Sequence, residues 1–373
     1  MTNLESLDLA ERSYQLTTKE GWTQRIADGP RTAPPQLTRK QLEGLARRDR
    51  LRYDEARKIW HANLGPIITP GMRQVFGELT ELIDSNRQDG GRVKPAAVLD
   101  AWPGLGKTTL ITAFSSKFHQ DEIDLRGATT ELGHERIPVA YLSLTSTTTM
   151  RTLNSMLCQF YGHPGAHRGN AQRLAERATT CVRDCQTRLI IIDDVHFLDM
   201  NRRNDREVAN HFKWLSTQFP VTFIFVGVGI EERGLLTEGM DPLHLVRSQT
   251  ARRWTKLGLE PFEVKTKRGR ATWRSLLLGI EQGIRLVDSR AGMLADELPA
   301  YLYERSTGHF ASLMALINRG CLRAMQTEAE HIDLALLDGI KADAAAEKSR
   351  RAVHQAFKSG QLGTVTNQQR QPA

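Results

Sequence analysis

Four short, unbroken apolar runs, Ala96–Ala101, Ile137–Leu144, Arg188–Asp194 and Val221–Val228, alternate with stretches of helical periodicity, and a fifth, weaker run covers Leu257–Val264. Strands that are apolar on both faces, with helices between them, belong in a parallel sheet covered on each side. The pattern predicts an α/β doubly wound domain over residues 93–265 with a five-stranded parallel sheet. After Lys265 the strands stop. Helical periodicity continues through Trp273–Asp288, Leu294–Ser306, Phe310–Gln326 and Ile332–Ala346, which predicts a small helical lid domain over residues 266–346.

The flanks read differently. Residues 1–36 carry Pro30, Pro34 and Pro35 with little periodicity, the signature of a partly disordered N-terminal arm. Residues 37–92 form a basic helical segment: one helix over Leu37–Asn63 with Thr38 as its cap, then a second opened by Thr69-Pro70. Residues 347–373 form a basic polar tail ending in a Gln/Asn-rich stretch. Net charge is +8, and its placement matters more than its size. Leu37–His61 holds eight Lys/Arg against four Asp/Glu, and Glu347–Ala373 holds five against one, so the remainder is nearly neutral. Basic ends on a neutral body suit a polyanion, most often nucleic acid; the plainer alternative is a solvated helix face and tail.

No run of about 18 apolar residues occurs, so a membrane partner is not expected. The N-terminus carries acids and no apolar stretch, unlike a secretory signal. Cys158, Cys181, Cys185 and Cys321 form no CxxC pair and read as buried reduced thiols, which points to the cytoplasm.

The first apolar run leads into Ala101-Trp102-Pro103-Gly104-Leu105-Gly106-Lys107-Thr108-Thr109, between a strand and a helix. This matches the phosphate-binding pattern GxxxxGK[ST], with Ala101 in place of the first glycine. Residues Pro103 to Thr109 are the nucleotide-binding candidates. Gly104 and Gly106 let backbone N–H groups approach phosphate oxygens, aided by the positive end of the following helix. Lys107 supplies a charge to the terminal phosphates, and the Thr108 hydroxyl is a ligand for Mg²⁺. ATP with Mg²⁺ is the expected cofactor. Alanine at position 101 is compatible if its φ is negative.

The third run ends in Asp193-Asp194-Val195-His196. A strand beside the phosphate-loop strand would bring Asp193 to the metal, and Asp194 would polarise an attacking water. The alternative for Asp194 is a cap on the following helix. Aspartate is one methylene shorter than the glutamate usual there, which favours slow hydrolysis. His196 either senses the phosphate state or packs under the sheet edge. Both motifs occur in order, about 85 residues apart, and reinforce each other.

With these motifs in place, the sequence resembles the TniB/TnsC family of transposition AAA+ ATPases over roughly residues 45–340. The resemblance is carried by Arg57-Lys58-Ile59-Trp60 through Ile68-Thr69-Pro70, by Pro103–Thr108, by Asp193–His196, and by Arg252-Arg253-Trp254 followed by Leu259-Glu260-Pro261-Phe262. It implies an AAA+ P-loop NTPase fold with a helical lid. It implies a partner-stimulated ATPase that assembles with ATP as a homo-oligomer, ring or filament, on double-stranded DNA. It further implies selection of target DNA and recruitment of a transposase, with a target-selection adaptor. Arg253 becomes the candidate arginine finger, with Arg252 second. Candidate DNA contacts are Arg47, Arg48, Arg50 and Arg52, with Arg202 and Arg203 after the acidic strand and the hydroxyl-rich run Thr145–Arg151. Two departures stand out. The fourth run ends in Phe225-Val226-Gly227-Val228-Gly229, with no side chain to touch a phosphate, and Gly308-His309-Phe310-Ala311-Ser312 lacks the arginine common in AAA+ lids. Two other function classes share the core motifs: a helicase-loader-like replication ATPase, and a signalling NTPase with no DNA role.

Overall fold

The computed structural model describes residues 7–65, 67–87, 94–198, 203–218, 221–232 and 254–359. In chain order the helices before the sheet are α1 (Lys19–Asp28), α2 (Arg39–Glu43), α3 (Arg47–Ala62) and α4 (Pro70–Ser85). The sheet and its helices follow as β1 (Ala96–Ala101), α5 (Lys107–Arg126), β2 (Val139–Ser143), α6 (Met150–Phe160), α7 (Ala171–Asp184), β3 (Leu189–Asp193), α8 (Arg203–Gln218), β4 (Thr222–Gly227) and β5 (Trp254–Leu259). The chain continues through α9 (Lys267–Gly283), α10 (Pro299–Ser306), α11 (Phe310–Gln326), α12 (Leu334–Asp338) and α13 (Ala344–Lys358).

The five strands form one parallel sheet in the order β2-β3-β4-β1-β5. The apolar residues of β1 to β4 are buried on both faces, as continuous Val/Ile/Leu/Ala runs require, whereas edge strand β5 buries only Leu257 and Leu259. The sequence reading set the acidic strand beside the phosphate-loop strand. The structure corrects this, because β4 lies between β1 and β3. The intervening strand ends in Gly227, where a Cβ would meet the backbone nitrogen of His196 at 3.0 Å, so the glycine lets the turn after β3 close over β4. The fifth strand is shifted toward the N-terminus of its expected run. Trp254 stacks on Phe225 at 4.7 Å and anchors this start, and Pro261 follows the strand.

A second apolar core lies among α9, α10, α11 and the segments around α12, built from Trp273, Leu277, Leu302, Leu313, Ile317 and their neighbours. Pro299 opens α10 later than the periodicity suggested, and Thr266 caps α9 earlier. The segment expected as a polar tail is in part helical. In α13, Glu347 pairs with Arg305 at 2.9 Å and Arg350 with Glu304 at 3.3 Å.

The N-terminal segment is not a bare arm. Thr18 caps α1, and Trp22 is fully buried, stacked 6.0 Å from Tyr141 with its Nε1 donating to His119 Nδ1 at 3.1 Å. Burial holds the His119 imidazole down to about 4, so its ring stays neutral and free to accept. The single helix expected over Leu37–Asn63 is two. Thr38 and Gln41 form a capping box, and α2 stops at Gly44 before α3 begins at Arg47. Both helices belong to the lid side. Arg57 donates to both oxygens of Glu330, at 2.6 and 2.9 Å, with both side chains fully buried. Trp60 Nε1 donates to the Gly283 carbonyl at 2.6 Å, and His61 Nε2 accepts from Arg285 N–H at 3.0 Å.

Candidate nucleotide-binding site

The carboxyl edge of the sheet gathers the chemistry. The chain leaves β1 at Ala101, turns through residues 102–106 and enters α5 at Lys107. Gly104 and Gly106 have φ of 77° and 86°, left-handed values that an L side chain resists. A Cβ on Gly106 would also stand 3.0 Å from Met72 Cε. Ala101 is not among the positive-φ residues, so alanine at the first loop position costs no strain.

Lys107 Nζ donates to the carbonyls of Ala101 at 2.7 Å and Trp102 at 3.0 Å, inside the curl of its own loop. Burial pushes its pKa down; the carboxylates of Asp193, Asp100 and Asp194 pull it back up. Asp193 is 5% exposed and accepts three hydrogen bonds. Thr108 Oγ1 (3.1 Å) and the Tyr141 hydroxyl (2.5 Å) donate to its Oδ2, and Asp194 N–H (2.8 Å) donates to its Oδ1. Burial, then the Asp193 charge, raises the Tyr141 pKa, so the phenol remains a donor. Lys107, Thr108 and Asp193 are thus brought together, 85 residues apart in sequence for the last pair.

Asp194 sits in the left-handed region at φ 60°, and its side chain makes no capping bond to the 3₁₀ turn Val195–Phe197. It accepts instead from Ser143 Oγ at 2.6 Å. β2 therefore presents two hydroxyls, Tyr141 and Ser143, one to each of the consecutive aspartates. The sequence reading missed both, since they lie in a run read only for its apolar character. His196 Nδ1 lies 3.9 Å from Asp194 Oδ1, beyond hydrogen-bond reach, and has no hydrogen-bond partner among the described residues. Asp100 was also missed. Its Oδ2 accepts from Ile230 N–H at 3.1 Å and Glu231 N–H at 3.4 Å, fixing the turn after β4 that carries no polar side chain of its own at Gly227–Gly229. An acid one residue before the loop was the available signal.

The lid closes one side of the loop. Ala311 N–H, in the first turn of α11, donates to the Gly104 carbonyl at 2.9 Å. Gly308 makes this approach possible: at φ 76°, a Cβ there would fall 2.2 Å from the Phe262 carbonyl oxygen. The residues at this contact are His309, Phe310 and Ala311, with no arginine.

A hard-oxygen donor set suits Mg²⁺. Thr108 and Asp193, in contact with each other, are the residues that would supply it, and Mg²⁺ normally completes its shell with phosphate oxygens and water. Among the described residues no group of three or more His, Cys, Asp or Glu side chains could hold a metal by itself. Burial pushes the thiols of Cys158, Cys181 and Cys185 up to about 11 and that of Cys321 up to about 12, which keeps them protonated near neutral pH.

The other candidates fare differently. Arg47 and Arg48 are exposed on α3, Arg52 is half-buried, and Arg50 is engaged by Asp54 at 2.8 Å. Arg203 begins α8, its side chain outside the described residues; Arg202, Arg252 and Arg253 lie outside them altogether. The Thr145–Arg151 run folds on itself: Thr145 N–H donates to Thr148 Oγ1, Thr149 caps α6, and Arg151 donates to the carbonyls of His167 and Gly169. Among the described residues no helix is long and apolar enough to cross a membrane.

Residues 92–236 match the family model described as an AAA domain. The fold is that of an AAA+ P-loop NTPase. The chain is similar to the Aeropyrum pernix ORC2 protein, solved with ADPNP and ADP, at 15% identity and a TM-score of 0.53, covering 80% of this chain and 71% of that one. It is similar also to the Aeropyrum pernix ORC1 protein, solved in complex with DNA, at 14% identity and a TM-score of 0.54, covering 82% and 71%. These likenesses carry the fold. No curated protein matches the sequence.

Proposed function

We propose that this AAA+ protein is an ATP- and Mg²⁺-dependent switch that assembles with itself on double-stranded DNA, as an accessory ATPase of DNA transposition. The observation that carries the nucleotide part is the meeting of Lys107, Thr108 and Asp193 at the end of β1. Bound Mg²⁺ would neutralise phosphate charge there. Lys107 binds the terminal phosphates, and Thr108 and Asp193 orient the metal. Asp194 positions the attacking water; its shorter reach, and the Ser143 hydroxyl already on it, favour slow turnover that a partner stimulates.

Arg253 is proposed as the finger that completes a neighbour's site. Trp254 pairs with Ala96, at the opposite end of β1 from the phosphate loop, which supports action between subunits rather than within one. The basic balance of the chain supports the DNA partner, and the motif resemblance supports recruitment of a transposase and a target-selection adaptor. A second reading is a replication ATPase. The fold likeness to a protein solved with DNA, ORC1, favours it.

The test is DNA binding with ATP, with ADP and with a non-hydrolysable analogue. Affinity should differ between the states, and Lys107→Ala should remove the ATP stimulation; equal affinity in all three refutes the switch. Co-purification with a transposase or with a replicative helicase separates the two readings. A protein that binds neither DNA nor those partners leaves the signalling class.

A further inference from the structure

We propose that an open cleft on the lid, formed by Arg319, Arg323 and Lys341, docks the phosphodiester backbone of duplex DNA. The proposal rests on the DNA-binding reading above and gives it a surface that the sequence did not suggest. The cleft has a volume of about 440 Å³. α11 contributes Arg319, Leu322, Arg323 and Gln326 to its wall, and the turn after α12 contributes Gly339, Ile340 and Lys341.

The cleft is held in shape by its own residues. Arg319 Nη1 donates to the Lys341 carbonyl at 2.7 Å, tying α11 to that turn. Arg323 lies across Gly339, where a Cβ would come 2.5 Å from Nη1, so the glycine leaves room for the guanidinium. Arg319 and Arg323 are four residues apart, about 6 Å along one helix face. Like charges so placed repel.

No carboxylate lines the cleft, and among the described residues none of these three cations has a carboxylate partner. Four other arginines of the lid are paired with carboxylates, Arg274 with Asp296, Arg290 with Glu297, Arg305 with Glu347 and Arg350 with Glu304, and Arg270 and Arg285 are held by backbone carbonyls. Three converging cations kept without counter-ions define a site for an anion. No aromatic side chain lines the cleft for a base to stack on, and the cleft is open to solvent. With the Gln326 amide as a neutral donor, the lining fits backbone phosphates and carries no base readout.

The same helix reaches the nucleotide site. Ala311 N–H holds the Gly104 carbonyl, about 18 Å along α11 from Arg323. DNA in the cleft and nucleotide at the loop therefore touch opposite ends of one rigid element.

The test uses the full-length protein with ATP and Mg²⁺, a labelled duplex of mixed sequence, and affinity measured against salt. Each phosphate contact contributes about 0.9 to the slope of log affinity on log salt. The variant Arg319→Gln/Arg323→Gln/Lys341→Gln should lower that slope by about 2.7. A fourfold dilution of salt then strengthens native binding about 40-fold more than the variant's. Arg319→Lys/Arg323→Lys keeps the charge and should keep the slope. If the triple variant loses binding of a fluorescent ATP analogue, Lys341→Gln alone decides: a slope drop of about 0.9 supports the cleft and none overturns it. Native DNA binding with equal slopes in all variants refutes the cleft and leaves the DNA reading standing. Absence of DNA binding by the native protein in every nucleotide state refutes that reading, and the cleft assignment with it. Stabilisation by inorganic phosphate, or retention on poly-glutamate, lost in the triple variant while DNA slopes stay equal, identifies a different anion and overturns the proposal.

Discussion

Replacing Tyr141 with Phe removes one oxygen atom and little else. The ring keeps its stack on Trp22, 6.0 Å away and inclined by 15°. The Asp193 carboxylate keeps Thr108 and the Asp194 N–H but loses the shortest of its three donors, at 2.5 Å. A hydrogen bond to a charged, buried group contributes about 1.5–3 kcal/mol. The melting temperature should fall by several degrees. The sharper effect is on metal. Asp193 would turn more freely about its side chain, and groups that orient a metal ligand typically change metal affinity by about 10–100-fold. The assay is a Mg²⁺ titration of a fluorescent ATP analogue, beside a titration without metal. The Mg²⁺-dependent part should shift to higher concentration by about that factor, while metal-free nucleotide binding to Lys107 and the loop amides stays nearly unchanged. Equal Mg²⁺ midpoints for the native protein and Tyr141→Phe would refute the claim that the phenol positions Asp193.

Gly106→Ala places a side chain at φ 86° against Met72; the left-handed conformation alone costs about 1–2 kcal/mol, and nucleotide binding should weaken even when Met72→Ala relieves the contact. Arg57→Ala leaves Glu330 buried without its partner and should cost about 3–5 kcal/mol in chemical denaturation; a loss under about 1 kcal/mol would show that the pair is not the clamp. Stability should also fall with acid. Burial lowers His119 to about 4 and His61 to about 3, so the unfolded chain binds protons that the folded one refuses once the pH drops below about 6.5. Thermal melts should hold steady above that pH and decline from there toward pH 4; His119→Gln, which still accepts from Trp22, should flatten the decline.

What could be read in advance followed local chemistry. β1 and α11 match their expected limits because strong punctuation brackets them: Trp102-Pro103-Gly104 after β1, and Gly308 before α11. Thr69-Pro70 marked the start of α4 for the same reason. What escaped depends on distance in sequence. Nothing near Trp22 says that its ring will rest on Tyr141, 119 residues on, and the three nearby prolines dominate the reading of that segment. Strand order is likewise invisible locally, so Asp193 was placed beside β1 although β4 separates them. Gly44 was an available stop signal within the basic helix, but the continuous charge pattern hid it. The charged composition after Ala346 concealed an amphipathic helix whose Glu347 serves Arg305. In the candidate site, the motif residues were legible and their supports were not, because a hydroxyl inside an apolar strand has no pattern of its own.

The early helices divide their allegiance. α1 and α4 bury their apolar residues with the sheet, whereas α3 is bolted to the helices beyond residue 266 through Arg57, Trp60 and His61. Leu64 and Ile67 pack on one side and Ile68 on the other, so the backbone changes hands within a few residues. The lid is therefore not a C-terminal appendage that could be detached at the end of β5. Cutting the chain there would leave Glu330 and the Gly283 carbonyl facing water on one fragment and the arginine and tryptophan that serve them on the other. Any rocking of the lid over the phosphate loop must carry α2 and α3 with it while α1 and α4 stay with the sheet, making the chain between α1 and α2 and between α3 and α4 part of the moving hinge.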